Sequence, residues 1–230
     1  MAQKIGKQRR ENAAADDHAR ITTDELAREF PTLRLVVEDN KTYLNGSFPI
    51  GHEGEVLDQF DIEMLVAPLA GNELPEVRET GGRIPRIADR HVNADGTACI
   101  TLPESYFLRN PGPFDLLKFL SGPVRDYFIG QALVERGDDW PHQEWPHGID
   151  GLLLFYEELL GTDNLVRIRE YLRHLARAEL RGHWACPCGS GKKLRRCHQQ
   201  ELAELRARIG FRAARRLLAL LDERIRTISP

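Results

Sequence analysis

Cys186, Cys188 and Cys197 fall close together, and His198 follows the last of them directly, in the run C-P-C-G-S-G-K-K-L-R-R-C-H. Three thiolates and an imidazole make a complete tetrahedral donor set for a structural zinc ion, and a complete set leaves no position for substrate. Gly189 and Gly191 supply the tight backbone that folds the second half of the run onto the first cysteine pair. Lys192, Lys193, Arg195 and Arg196 offset the net negative charge of such a centre and favour its thiolates. The fourth cysteine, Cys99, stands 87 residues upstream of the nearest other one. With three cysteines assigned to a metal, this remaining thiol is the candidate nucleophile. Lone cysteines are more often small buried hydrophobes, so the neighbours decide: His91, Asn93 and Gly96 precede Cys99 in H-V-N-A-D-G-T-A-C.

The segments around these residues predict an α+β chain. Residues 1–20 are polar and charged and read as a flexible arm. Thr23 with Asp24 and Glu25 caps a short helix that Pro31 ends near Phe30. Leu33–Val37 and Thr42–Leu44 flank a polar turn and predict a hairpin. Phe60–Val66 begins by alternating and ends continuously apolar, as a sheet strand with one covered face does. Leu74–Thr80 is a weaker strand closed by Gly81 and Gly82. Beyond Cys99 the periodicity turns helical, first over Phe114–Leu120 and then over Val124–Val134. A loop follows, with Asp138-Asp139 as a solvated turn and His142 and His147 as surface or packing histidines beside Trp140 and Trp145. Helices are expected over Gly151–Leu160 and Leu165–Leu180. A single amphipathic helix is expected over Glu201–Ile228.

The net charge of −3 hides a polarity. Residues 164–230 carry 16 Lys and Arg against 6 Asp and Glu, which leaves 16 basic and 29 acidic residues in the remainder. A basic end of this kind suits nucleic acid or an acidic protein surface, or is a solvated basic helix. No apolar run approaches the roughly 20 residues of a membrane span. The N-terminus lacks the apolar core of a secretion signal. Metal-like cysteine spacing, with no even framework across the chain, favours a reducing cytoplasm.

Two resemblances organise these observations. The run from Cys186 to His198, with its C-G-S-G-K-K core and all four ligand positions, resembles the SEC-C motif. That resemblance implies Zn²⁺ held by Cys186, Cys188, Cys197 and His198, and often protein or nucleic-acid contacts. The segment from His91 to Cys99 resembles the active-site segment of ubiquitin-conjugating (UBC-like) enzymes, in which an H-P-N triplet precedes Gly-x-x-Cys. Val92 stands in place of the proline, the stretch between Asn93 and Gly96 is short, and Tyr106 and Phe107 occupy the neighbourhood of a usual tryptophan. These departures point to a divergent bacterial branch, whose members occur in anti-phage operons.

The UBC-like resemblance implies an antiparallel strand meander flanked by helices, followed by a small C-terminal zinc motif and a helix. The expected organisation is an arm over 1–20, a UBC-like domain over 21–162, a helical connector over 163–182, the SEC-C zinc motif over 183–200 and a C-terminal amphipathic helix over 201–230. By the same resemblance Cys99 accepts a protein C-terminus as a thioester from an activating enzyme and passes it to an amine of a target. Asn93 donates to the developing oxyanion or holds the loop, and His91 fixes that loop. The implied partners are a ubiquitin-like modifier or other protein C-terminus, its activating enzyme and a target protein. Two further readings stand beside this one. One is a non-catalytic UBC-like adaptor that docks protein or nucleic acid through the basic tail. The other is a cysteine hydrolase, which needs a histidine paired with Cys99.

Overall fold

The computed structural model describes residues 23–228, apart from 53, 54, 68, 70, 71, 142–145 and 147. The expected arm over 1–20 and the histidines at 142 and 147 lie outside the described residues. The chain is a mixed α+β protein that divides into two compact units. Among the described residues, those up to 101 together with 112–141 form the first, and 102–111 with those from 146 onward form the second.

The first unit opens with helix α1 (Thr23–Glu29) and a four-stranded antiparallel meander, β1 (Leu33–Glu38), β2 (Lys41–His52), β3 (Glu55–Ala67) and β4 (Glu76–Glu79), in spatial order 1-2-3-4. Glu38 pairs with Lys41 across Asp39 and Asn40, both at positive φ (49° and 59°). Asp and Asn tolerate that conformation better than other side-chain-bearing residues, and it matches the twist of a two-residue hairpin. β2 runs eight residues beyond the expected Thr42–Leu44, to His52. Gly46, Ser47 and Pro49 hid that extension, since all three weaken a strand signal. Gly46 is required there, because a Cβ would meet the Thr32 carbonyl oxygen at 2.2 Å.

One face of the sheet is apolar and buried through Leu44, Phe48, Ile50, Phe60, Ile62, Met64 and Val77. A helical run covers it: α3 (Leu116–Phe119), a π-turn (Leu120–Val124) and α4 (Arg125–Glu135). Pro123 sits inside the π-turn; its missing N–H cannot complete an α-helical ladder, which accounts for the widened turn. The Phe128 ring of α4 lies 4.8 Å from Phe60 and 5.5 Å from Phe48 between centroids, and Phe30 stacks on Phe48 at 5.5 Å. Burial of one such ring is worth about 1.5–3 kcal/mol, so Phe128 is a main fastening of helix to sheet.

The second unit is helical: α2 (Pro103–Arg109), α5 (Ile149–Leu160), α6 (Leu165–Leu175), α7 (Gln199–Ile209) and α8 (Phe211–Ile228). Asn164 caps α6, its side-chain oxygen accepting from the N–H of Val166 (3.0 Å) and Arg167 (3.1 Å). Tyr156, Ile168, Leu172, Leu194, Leu202, Leu217 and Leu221 form the centre of its core. The single helix expected over 201–228 is two helices. Gly210, at φ +80°, ends α7 and starts α8. The apolar spacing runs through the break, so only the glycine marked it.

Candidate functional site

Cys99 sits on a small hairpin that follows β4. A 3₁₀ turn over Ala88–Arg90 ends at His91, whose backbone is left-handed (φ 49°, ψ 42°). Val92 then bridges Ala98 antiparallel. The Cys99 N–H donates to the His91 carbonyl (2.7 Å), the Asn93 N–H to the Thr97 carbonyl (2.8 Å), and the Gly96 N–H to the Asn93 carbonyl (2.8 Å). The Ala98 N–H reaches the Val77 carbonyl at 2.7 Å, which hangs the hairpin on β4. Gly96, at φ +84°, makes the tip.

The three residues singled out in this segment have distinct surroundings. Cys99 is half-buried. Burial pushes its thiol above the usual range. Asn93 turns its amide across the hairpin, Nδ2 donating to Thr97 Oγ1 at 2.9 Å. Thr97 Oγ1 in turn donates to Asp95 Oδ1 at 2.6 Å, and the Thr97 N–H reaches the same oxygen at 3.0 Å. These bonds hold the Asp95 carboxyl below its ordinary value. His91 is buried, with its ring 4.2 Å from that of Trp140 at an interplanar angle of 32°. Its imidazole packs on that indole. Asp138 and Asp139 are exposed just beyond the turn that ends α4.

Sequence reasoning missed the residues that hold this segment from below. The Gln131 side chain is fully buried; its Nε2 donates to the Arg90 carbonyl (2.7 Å) and its Oε1 accepts from Arg90 Nε (2.8 Å). Tyr127, one turn earlier on α4, places its hydroxyl 3.3 Å from the His91 carbonyl and 3.4 Å from that of Arg90. Arg90 also lies 3.7 Å from Glu135. Glu135 shares Arg83 with Asp58, each carboxylate at 2.6 Å, and the Arg83 guanidinium lies 4.2 Å over the Phe60 ring. The one available signal was a polar Gln131 inside the apolar stripe of a predicted helix. A buried amide demands partners.

In the second unit, Cys186, Cys188, Cys197 and His198 come together, their donor atoms all within 4.8 Å of one another. Cys188 Sγ lies 3.6 Å from Cys197 Sγ, and His198 Nδ1 lies 3.2 Å from Cys186 Sγ and from Cys197 Sγ. Four ligands at zinc–sulfur and zinc–nitrogen lengths of about 2.3 Å and 2.0 Å stand about 3.5–3.8 Å apart in a tetrahedron, so the set fits such an ion. The backbone folds as expected around Gly189 (φ 79°) and Gly191 (φ 72°). Ala185 bridges Lys193, the Cys186 N–H donates to the Lys192 carbonyl (2.9 Å), and the Leu194 N–H to the Trp184 carbonyl (2.8 Å). Buried Leu194 roots the knuckle in the helical core. The Ser190 hydroxyl, 3.2 Å from Cys188 Sγ, is the main cause that lowers the Cys188 thiol to about 6. His198 Nε2 points the other way, 3.5 Å from Glu201 Oε2. A carboxylate placed there orients the imidazole from outside the coordination shell.

Fold and site therefore define a mixed α+β protein with a closed Cys₃His knuckle. Compared with protein-family models, the chain matches the SEC-C motif over residues 185–200, the segment that holds all four ligands. No curated protein and no solved structure matches the chain. No helix among the described residues is long and apolar enough to cross a membrane.

Proposed function

We propose that Cys99 is the acyl-carrying cysteine of a UBC-like conjugating protein, and that the knuckle of Cys186, Cys188, Cys197 and His198 holds a structural zinc ion. The observation that carries the first part is topological and local at once. A helix and a four-strand antiparallel meander lead into a hairpin that offers a half-buried thiol at the outer strand, backed by a helix buried on the sheet.

The chemistry balances without an external oxidant or reductant. The Cys99 sulfur, losing its proton, attacks the carbonyl carbon of a thioester carried by an activating enzyme. The new C–S bond forms, the old one breaks, and the proton goes to the departing thiolate. An amine then attacks the Cys99 thioester, an amide forms, and the proton released by the amine restores the thiol. Burial that raises the thiol above its usual range makes Cys99 a poorer leaving group.

This environment supports a carrier over a hydrolase. A cysteine hydrolase needs a paired base to generate its thiolate, whereas the imidazole nearest in the chain, His91, is packed on Trp140. The zinc-bearing unit is the docking end in this reading. Exposed Lys192, Lys193, Arg195 and Arg196 surround the knuckle, and none of them has a carboxylate within ion-pair distance among the described residues. A non-catalytic adaptor would use the same basic surface with an inert Cys99. The two readings separate on a trap. With Cys99→Lys made in the source cell, a conjugating protein accumulates a reductant-stable adduct through an isopeptide at position 99, mapped by mass spectrometry. The absence of any adduct at that position, in wild type and variant alike, refutes the carrier and leaves the adaptor.

A further inference from the structure

The carbonyl that receives the Cys99 N–H belongs to His91, and the same carbonyl faces the Tyr127 hydroxyl at 3.3 Å. One residue earlier, the Arg90 carbonyl takes a 2.7 Å bond from Gln131 Nε2. Tyr127 and Gln131 stand one turn apart on α4, so one helix face grips two consecutive carbonyls at the root of the cysteine hairpin. Gln131 closes a second bond in the opposite sense, accepting from Arg90 Nε at 2.8 Å. Both side chains are fully or almost fully buried.

The grip falls where the backbone most needs it. His91 is left-handed, a conformation that sterics disfavour for a side-chain-bearing residue. It persists only where its surroundings over-determine it. Released from α4, residues 90–91 would relax toward an ordinary conformation, and the Cys99 N–H would lose the carbonyl that fixes its peptide plane. Neither Tyr127 nor Gln131 has to meet the acyl group for this to hold.

We propose that Tyr127 and Gln131 are positioning residues for the Cys99 thiol, acting through the carbonyls of Arg90 and His91. The proposal rests on Cys99 being the reactive residue of the chain. It assigns to α4 a role in setting thiol exposure and reactivity besides covering the sheet.

The test is the alkylation rate of Cys99 by iodoacetamide in the full zinc-loaded chain, followed peptide by peptide by mass spectrometry from neutral to alkaline pH. The titratable and charged groups around the Tyr127 hydroxyl are Cys99, Arg90 and Glu79, all in the first unit. Tyr127→Phe removes only the hydroxyl. Gln131→Glu keeps the acceptor for Arg90 Nε and removes the donor to its carbonyl, and Gln131→Leu removes both. Phe119→Leu, at a buried ring of α3 that packs on Phe114, is the control for general destabilisation.

The expected result is alkylation about fivefold faster in Tyr127→Phe, Gln131→Glu and Gln131→Leu, the scale of one lost hydrogen bond. The pH midpoint should fall toward that of an ordinary thiol, while Phe119→Leu leaves both unchanged. Rates and midpoints equal to wild type in Tyr127→Phe and Gln131→Glu, with cooperative melting retained, overturn the proposal. The same holds if Phe119→Leu alters them equally. The conjugation reading fails separately. If Cys99 never carries an acyl group while its alkylation responds as expected, positioning stands and conjugation falls. If Cys99 carries an acyl group while its alkylation does not respond, conjugation stands and positioning falls.

Discussion

The Trp140 ring lies directly on Gly130, so closely that a Cβ at that position would sit 2.7 Å from ring atom Cζ3 and 2.8 Å from Cη2. A glycine inside a helix costs about 1 kcal/mol relative to alanine, and here the cost makes room for the indole that packs on His91. α4 thus supports the cysteine hairpin twice, by hydrogen bonds from Tyr127 and Gln131 and by an indole seated on its one glycine.

Gly130→Ala should therefore destabilise the first unit even though alanine is the better helix former. Overpacking costs typically about 1–3 kcal/mol, which exceeds the propensity gain. Urea unfolding of the full chain measures it. A variant as stable as wild type would mean that Trp140 moves aside without loss.

Asp58 sets an acid limit on the same unit. The hydrogen bond from Arg83 is the main cause that holds its carboxyl below 3.8. A group depressed in the folded state contributes stability that is complete above its unfolded value and is lost as pH falls through its folded value. Asp58→Asn should lower stability near neutral pH and flatten the decline below about pH 4. Urea midpoints collected from pH 2 to 7 show this directly; an unchanged acid limb would mean that the pairing with Arg83 adds nothing in solution.

Much of the first unit was legible because its strands alternate and its turn residues are standard. Leu33–Val37, the Asp39-Asn40 turn and Phe60–Val66 all came from local pattern. What escaped were features set by tertiary contact: the reach of β2 through Gly46 and Pro49, the π-turn at Pro123, and the break at Gly210 inside an unbroken apolar stripe. The Cys₃His cluster was legible in the sequence, since its four residues lie in one short segment that the SEC-C motif spans. The cysteine hairpin was legible only in part. His91, Asn93 and Cys99 share one segment, but their fastening comes from Tyr127, Gln131 and Trp140, well downstream in the chain, and no local pattern joins the two.

In the second unit Glu104 has a side chain with no exposure, and Arg216 Nη2 reaches it at 3.3 Å. Arg216→Met should cost about 1–3 kcal/mol by leaving a buried carboxylate unpaired. Adding Glu104→Gln should recover most of that loss. Both are read from denaturant midpoints, and additive losses in the double variant would contradict the pairing.

Removal of the metal should unfasten the knuckle from the helical core. Cys186 and Leu194 are both buried in that core, so chelation or Cys188→Ser should lower the melting transition of the second unit while the first retains its own. One zinc per chain, released on thiol modification and counted with a chromogenic chelator, is the expected stoichiometry. A chain without zinc and without a lowered transition in Cys188→Ser would contradict a structural metal.

Whether Cys99 carries an acyl group is decided by the intact mass of the wild-type chain, isolated under acidic non-reducing conditions from its source cell. A carrier cysteine requires a fraction of chains heavier by one protein or peptide acyl group, the added mass mapping to Cys99, released by thiol reductant and absent in Cys99→Ala. Chains of unmodified mass at position 99, from cells in which the protein is abundant and folded, would refute the carrier.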